Sequence, residues 1–216
     1  MATEPLYGAL TNHNLISCIG DLSPQDFDDL TDCKRIATTS ADLVRDRYAD
    51  SRIWLEEYAR TLIFLGWTLH AGAITTKTRS NITGSIADFL VRSTEKMNIP
   101  QGNAMIDTLD ALSSDTPAML SLDRESHTGH RFQVVPARYD AKGELHMAIF
   151  NLELVASAEK SSFMFWSWEQ RSAMLIQQSA FFKLDLNELN TRRALMEKKL
   201  RENTAQRFTL RKRPKA

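Results

Sequence analysis

Glycine is scarce in this chain, with eight in 216 residues, and cysteine scarcer, with two. So few glycines leave little material for a phosphate cradle. "GNAMIDT" and "GAITTKT" lack both the GxxxxGK[ST] pattern and the Rossmann spacing, so no nucleotide cofactor is expected. Cys18 and Cys33 form no CxxC and have no second pair to complete a structural zinc site. They read as buried or incidental thiols of a reducing compartment, with a single disulfide as the alternative. Long apolar runs are missing too. The longest apolar-rich stretch, "ARTLIFLGWTL", covers 11 residues and contains Arg60, whereas a membrane span needs about 20. "MATEPLYGAL" has no basic segment leading into an apolar one, so no secretory signal is expected. The chain reads as cytoplasmic, or as exported without a cleaved signal peptide.

Net charge is also lacking. Lys and Arg total 27, as do Asp and Glu, so no global field steers the chain to nucleic acid or anionic lipid. The charge is unevenly spread, however. Residues 1–50 hold nine acids and four bases, and residues 183–216 hold eleven bases and four acids.

What is present suits a globular domain: 43% hydrophobic and 25% charged residues are ordinary values for one. Residues 1–22 read as a flexible N-terminal segment, 23–205 as a single domain and 206–216 as a basic tail. "LSPQDFDDL" carries a helix start, with Ser23 as cap and Pro24 in the first turn. The helix continues towards Tyr48, with a break near "ATTS" as the alternative. A second helix starts near Asp50, with Trp54, Tyr58, Leu62 and Leu65 on one stripe. Its end, "LIFLGW", is apolar all round, which predicts burial on every side. Gly66 is its stop.

Beyond Gly66 the spacing predicts a strand over 67–77, a turn at "SNITGS", helices around 86–97 and 105–112, and a loop at "DRESHTGH". Two strands follow, "RFQVVPARY" and "LHMAIFNLELVA", joined by a turn at "DAKGE". In the second, Leu145, Met147 and Ile149 share one face while Phe150, Leu152 and Leu154 share the other. Either a β-bulge near Ile149 and Phe150 or burial on both faces explains the switch. No glycine follows Gly143 and no proline occurs until Pro214. For 168–183 a turn with strands "AMLIQQ" and "FFKL" is favoured over a helix, because Met174, Ile176, Ala180, Phe182 and Leu184 share parity. "DLNELNTRRALMEKKLREN" is a helix capped by Asp185 or Asn187, with Leu186, Leu189, Met196 and Leu200 as its apolar stripe. The order predicts an α+β fold, with N-terminal helices and a C-terminal helix on a mostly antiparallel sheet of about five strands.

Candidate chemistry is thin. Asp123, Glu125, His127 and His130 in "DRESHTGH" are weak metal or general-base candidates, since the spacing matches no specific metal motif. A small hydrolase or metal-binding enzyme built on that loop is the alternative to a non-enzymatic reading. His70 and His146, on expected strands, read as structural. No GxSxG occurs, and no cysteine sits in a His signature. Phe163, Phe165, Trp166 and Trp168 in "SSFMFWSWEQ" read as core, as a partner surface or, less favoured, as a membrane-associating element. With Arg211, Lys212 and Arg213 of the tail they are the interaction candidates. No specific nucleic-acid binding is expected, because no reading helix, RNP motif or zinc finger accompanies that tail.

The segments "WLEEYARTLIFLGWTL", "GSIADFLVRS", "LDALSSDTPAMLSL", "SHTGHRFQVV", "FMFWSWEQRSAMLI" and "FKLDLNELNTRRALMEKKL", taken in order, resemble a small, uncharacterised family of bacterial and fungal α+β proteins. The resemblance spans roughly residues 50–200. Ala194 and Leu195 depart from the β-branched pair common there, and the long basic tail departs too. Some members resemble accessory proteins encoded beside α-helical pore-forming toxins, as in motility-associated killing factor clusters. The resemblance implies a non-enzymatic accessory component of a toxin or virulence system, with toxin components as protein partners. It implies no catalytic residues.

Overall fold

A computed structural model describes residues 8–11, 14–19, 22–80, 131–155 and 174–210. Its elements in chain order are β1 (Gly8–Thr11), β2 (Asn14–Ile19), α1 (Pro24–Val44), α2 (Ser51–Phe64), β3 (Trp67–Ser80), β4 (Arg131–Tyr139), β5 (Leu145–Val155), β6 (Met174–Leu184) and α3 (Leu186–Leu210). The fold is α+β. Among the described residues the sheet is mostly antiparallel, with six strands in the order β1-β2-β4-β5-β6-β3. The helices expected around 86–97 and 105–112 lie outside the described residues. Packing divides the chain into two units: Met1–Leu22 with His70–Phe182, and Ser23–Leu69 with Lys183–Ala216.

The second unit is helical. Ser23 caps α1, its Oγ accepting from the Asp26 N–H at 3.1 Å, and Asp50 caps α2 in the same way through the Ile53 N–H. α1 runs unbroken through "ATTS". Four residues apart on α2, Trp54, Tyr58 and Leu62 are fully buried, as are Leu30, Cys33, Ile36 and Ala37 of α1. Burial of each large aliphatic side chain contributes roughly 1.5–3 kcal/mol. The Trp54 and Tyr58 rings stack with centroids 5.1 Å apart.

At the end of α2 the chain turns at Gly66, whose φ is +97°. A Cβ there would sit 2.7 Å from the Leu189 backbone nitrogen and 3.0 Å from the Asp185 carbonyl oxygen. Only glycine allows both that backbone and that approach. The Asp185 N–H donates to the Gly66 carbonyl at 2.8 Å, so the start of α3 is fastened beside the end of α2. Asp185 is the α3 cap, accepting from the Asn187 and Glu188 N–H groups.

The first unit holds most of the sheet. β1 and β2 pair antiparallel and β2 pairs parallel with β4, inside the stretch read from sequence as a flexible segment. β4 and β5 form a hairpin closed by Asp140–Glu144, with Gly143 at φ +77°. Their register holds from Arg131↔Glu153 through Val134↔Phe150 to Tyr139↔Leu145, so no extra residue is inserted. The parity switch in β5 therefore reflects burial on both faces: Met147, Ala148, Ile149, Phe150, Asn151 and Leu152 are all buried in succession. Residues 133–137 of β4 are buried likewise. The uncertain stretch is settled as strand from Met174 onward, with β6 one continuous 11-residue strand rather than two.

Candidate functional site

The metal, general-base and interaction candidates read from sequence are not among the described residues. Asp123, Glu125, His127 and His130 lie outside them, as do Phe163, Phe165, Trp166 and Trp168, and Arg211, Lys212 and Arg213. Three other groupings of polar or apolar side chains are on view.

The first is an ion pair inside the helical unit. Asp29 of α1, 3% exposed, accepts from both ends of the Arg193 guanidinium at 2.6 and 2.8 Å. Gln25 adds a third hydrogen bond at 2.9 Å, and Arg193 Nε donates to Asn190. This fork-to-fork geometry is the strongest form of such a pair. The hydrogen bond to Asp29 raises the Arg193 pKa above its already high ordinary value. The acidic N-terminal region thus meets the basic C-terminal helix within one chain. Nearby, Arg47 lies over the Trp54 ring at 4.1 Å, and Trp54 donates its indole N–H to Asp42 at 2.7 Å.

Cys33 belongs to the same interior. Burial pushes its thiol up to about 12, against a smaller opposing effect of the Trp67 indole. A thiol that holds its proton so firmly is a poor nucleophile at neutral pH. Tyr58 is fully buried, and its hydroxyl is pushed up by the same cause, with Arg47 partly opposing.

The second grouping closes the β4–β5 hairpin. Donor atoms of Asp140, Glu144 and His146 lie within 4.8 Å of one another. Asp140 Oδ1 accepts from the Lys142 and Glu144 N–H groups at 2.8 and 2.9 Å, and Oδ2 is 3.3 Å from His146 Nε2. The backbone hydrogen bond from Glu144 is the main reason the Asp140 carboxyl is lowered, with Lys142 and His146 contributing less and burial opposing. The donor types would suit a divalent ion. One oxygen of Asp140 is already committed to the turn, which is the ordinary work of an Asp there. From sequence, "DAKGELH" showed the turn but not the meeting of its Asp with the His two residues into the strand. The structural reading of His146 agrees with this bond.

The third is a corner of exposed apolar side chains. Ile63 and Phe64 end α2 with 49% and 47% exposure, and Leu186, which begins α3, is 49% exposed. Arg192 lies over the Phe64 ring at 4.8 Å. The sequence reading had α2 buried all round here and Leu186 in the α3 stripe. Both expectations fail at Ile63, Phe64 and Leu186 alone, because apolar periodicity shows which residues share a face but not what covers it. Leu189 and Met196 of the expected α3 stripe are buried.

Among the described residues no helix is long and apolar enough to cross a membrane. No protein-family model and no curated protein matches the chain. One solved structure similar to it is described as that of the Evf virulence factor. It shares 11% identity and a TM-score of 0.43, over 92% of this chain and 81% of that one.

Proposed function

We propose that this protein is a non-enzymatic interaction protein, acting by protein–protein binding as an accessory component of a bacterial toxin or virulence assembly. The observation that carries the binding is the exposure of Ile63 and Phe64 at the end of α2 and of Leu186 at the start of α3, three large apolar side chains left in water on either side of the Gly66–Asp185 hydrogen bond. Large apolar side chains gathered in water are one way soluble proteins mark a partner site. An aromatic ring under an arginine, as in Phe64 beneath Arg192, is a composition enriched where binding energy concentrates. The firmly protonated Cys33 weighs against a thiol-based enzyme. The setting in a toxin or virulence assembly rests on the ordered sequence resemblance described above.

The test is co-expression of the tagged chain with the products of its neighbouring genes, followed by affinity purification. A partner should co-purify with the wild type and be lost from the Ile63→Asp/Phe64→Asp double variant, while the melting temperature stays the same. No co-purifying protein, or one retained in full by the double variant, rejects the reading.

A further inference from the structure

β3 is a terminal strand of the sheet, its one neighbour in the strand order being β6. It is 14 residues long, well beyond the usual 5–6 or so. A strand in that position presents a row of backbone N–H and C=O groups along its outer edge. Thr75, Thr76, Lys77 and Thr78 are all exposed. Successive side chains of a strand point to opposite faces, so four exposed in a row leave this part of β3 open on both. The inner side is identified by Thr75, whose hydroxyl lies 3.3 Å from that of Ser179 on β6. Among the described residues, no strand pairs with the outer edge.

The charge of the strand is one-sided. "WTLHAGAITTKTRS" contains no Asp or Glu, but it contains Lys77 and Arg79. We propose that the outer edge of β3 is a docking edge for an extended acidic segment of a partner protein, which adds to the sheet as a further strand. The proposal rests on the protein-binding reading above and deepens it, giving a second contact and the chemistry of what makes it. Backbone hydrogen bonds along the edge would supply the attachment, and carboxylates facing Lys77 would supply the selection. A second copy of this chain fits the edge poorly, because β3 against β3 sets bases beside bases, and like charges on neighbouring strands are destabilising. Lysine on an edge strand also discourages unwanted pairing. That role and the docking role differ in what happens when the incoming strand is acidic.

The experiment uses the full chain and three fluorescein-labelled octapeptides: alternating Glu-Val, alternating Lys-Val, and the Glu-Val sequence interrupted by two prolines. Anisotropy should show binding of the uninterrupted acidic peptide alone. Lys77→Glu, at an exposed position that leaves folding intact, should weaken that binding by about tenfold or more. Hydrogen exchange of the bound complex should be slowed at residues 74–78. The proposal is overturned if the acidic peptide fails to bind, if the proline-interrupted peptide binds equally well, or if protection appears elsewhere. It is also overturned if sedimentation shows the chain dimerising in a way that Lys77→Glu alters. A partner that co-purifies through Phe64 while no acidic strand binds would remove the docking edge and leave the protein-binding reading standing. Peptide binding with no co-purifying partner would do the reverse.

Discussion

The two units bury different kinds of polar group. In the helical unit the buried polar residues are charged: Asp29, Lys34 and Arg47. Among the described residues of the sheet unit they are neutral: Gln133, Asn151, Gln177, Gln178 and Ser179. A buried charge has to be given partners in fixed places, because its desolvation costs several kcal/mol. Asp29 has three hydrogen bonds from two side chains. A buried amide costs less to leave imperfectly paired. Asn151 donates to Gln178 at 3.1 Å, while neither end of the Gln133 carboxamide has a partner. Asp29 should therefore be sensitive to the loss of a partner, and Gln133 tolerant of replacement.

The largest effect that sharpens this contrast is expected at Asp29. Asp29→Ala leaves the Arg193 guanidinium without its acceptor and should cost about 3 kcal/mol, the lower end of the range for broken buried pairs because Arg193 is partly open to water. Replacing both partners, Asp29→Leu with Arg193→Met, should recover most of that loss. Urea unfolding followed by tryptophan fluorescence measures both. A single variant as stable as the wild type would break the comparison.

Next comes the point where α2 and α3 are fastened. Gly66→Ala puts a Cβ against the Leu189 nitrogen and asks alanine to adopt φ +97°, and should cost about 2–3 kcal/mol. The same substitution at Gly143, where a Cβ meets nothing within 4 Å, should cost less. A matched loss at both sites, read from thermal unfolding, would show that backbone conformation alone sets the cost and that the close approach to α3 adds nothing.

How much of this was legible beforehand follows the same divide. The helix ends of the helical unit could be read closely, because caps and breakers are local signals. Ser23, Asp50, Asp185 and Gly66 each announce a helix end through their own chemistry. The sheet was legible where a hairpin turn or repeated parity fixes register, as at Asp140–Glu144 and over 174–184. β1 and β2 were missed because short strands are specified by the strands they pair with and carry little local signal. The parity switch in β5 was visible as a puzzle, but choosing between its two explanations needed the unbroken register with β4. The exposed corner at Ile63 and Phe64 was read as core, since an all-apolar helix end looks the same whether a layer covers it or a partner does. The Asp140–His146 contact joins a turn residue to a strand residue, and hydrophobic pattern says nothing about such a pair.

The hairpin offers a pH-dependent test of how the sheet unit holds a charge that it keeps near water. The Asp140 carboxyl is lowered in the folded state, so it binds its proton less readily folded than unfolded. Its stabilisation is therefore complete above the ordinary carboxylate pKa of about 4 and is lost as pH falls through the lower folded value. Asp140→Asn should differ from the wild type in stability by a constant amount near neutral pH, and the difference should close in acid. Chemical denaturation at stepped pH reads this directly. A difference that stays constant down to strongly acidic pH would show that the turn uses Asp140 only as a neutral acceptor.

The smallest net change is expected at Gln133, and it separates the two units most sharply. Gln133 lies across from Asn151 on the same face of the sheet, is 1% exposed, and has neither amide end partnered. Its surroundings on that face, Val135 and Ile149 among them, are apolar and fully buried. Gln133→Leu removes a desolvated group that gains nothing in return, so stability should stay within about 1 kcal/mol of the wild type, on the favourable side. Gln178→Leu, one strand beyond Asn151 in the sheet, should instead cost about 1–3 kcal/mol, because it strands the Asn151 amide that now donates to Gln178. The pair holds amide burial, strand context and substitution alike, and differs only in whether a partner is left behind. Equal losses at both positions in urea unfolding would mean that Gln133 is held by a group such as an internal water. Gln133 would then be held as strictly in the sheet unit as Asp29 is in the helical unit.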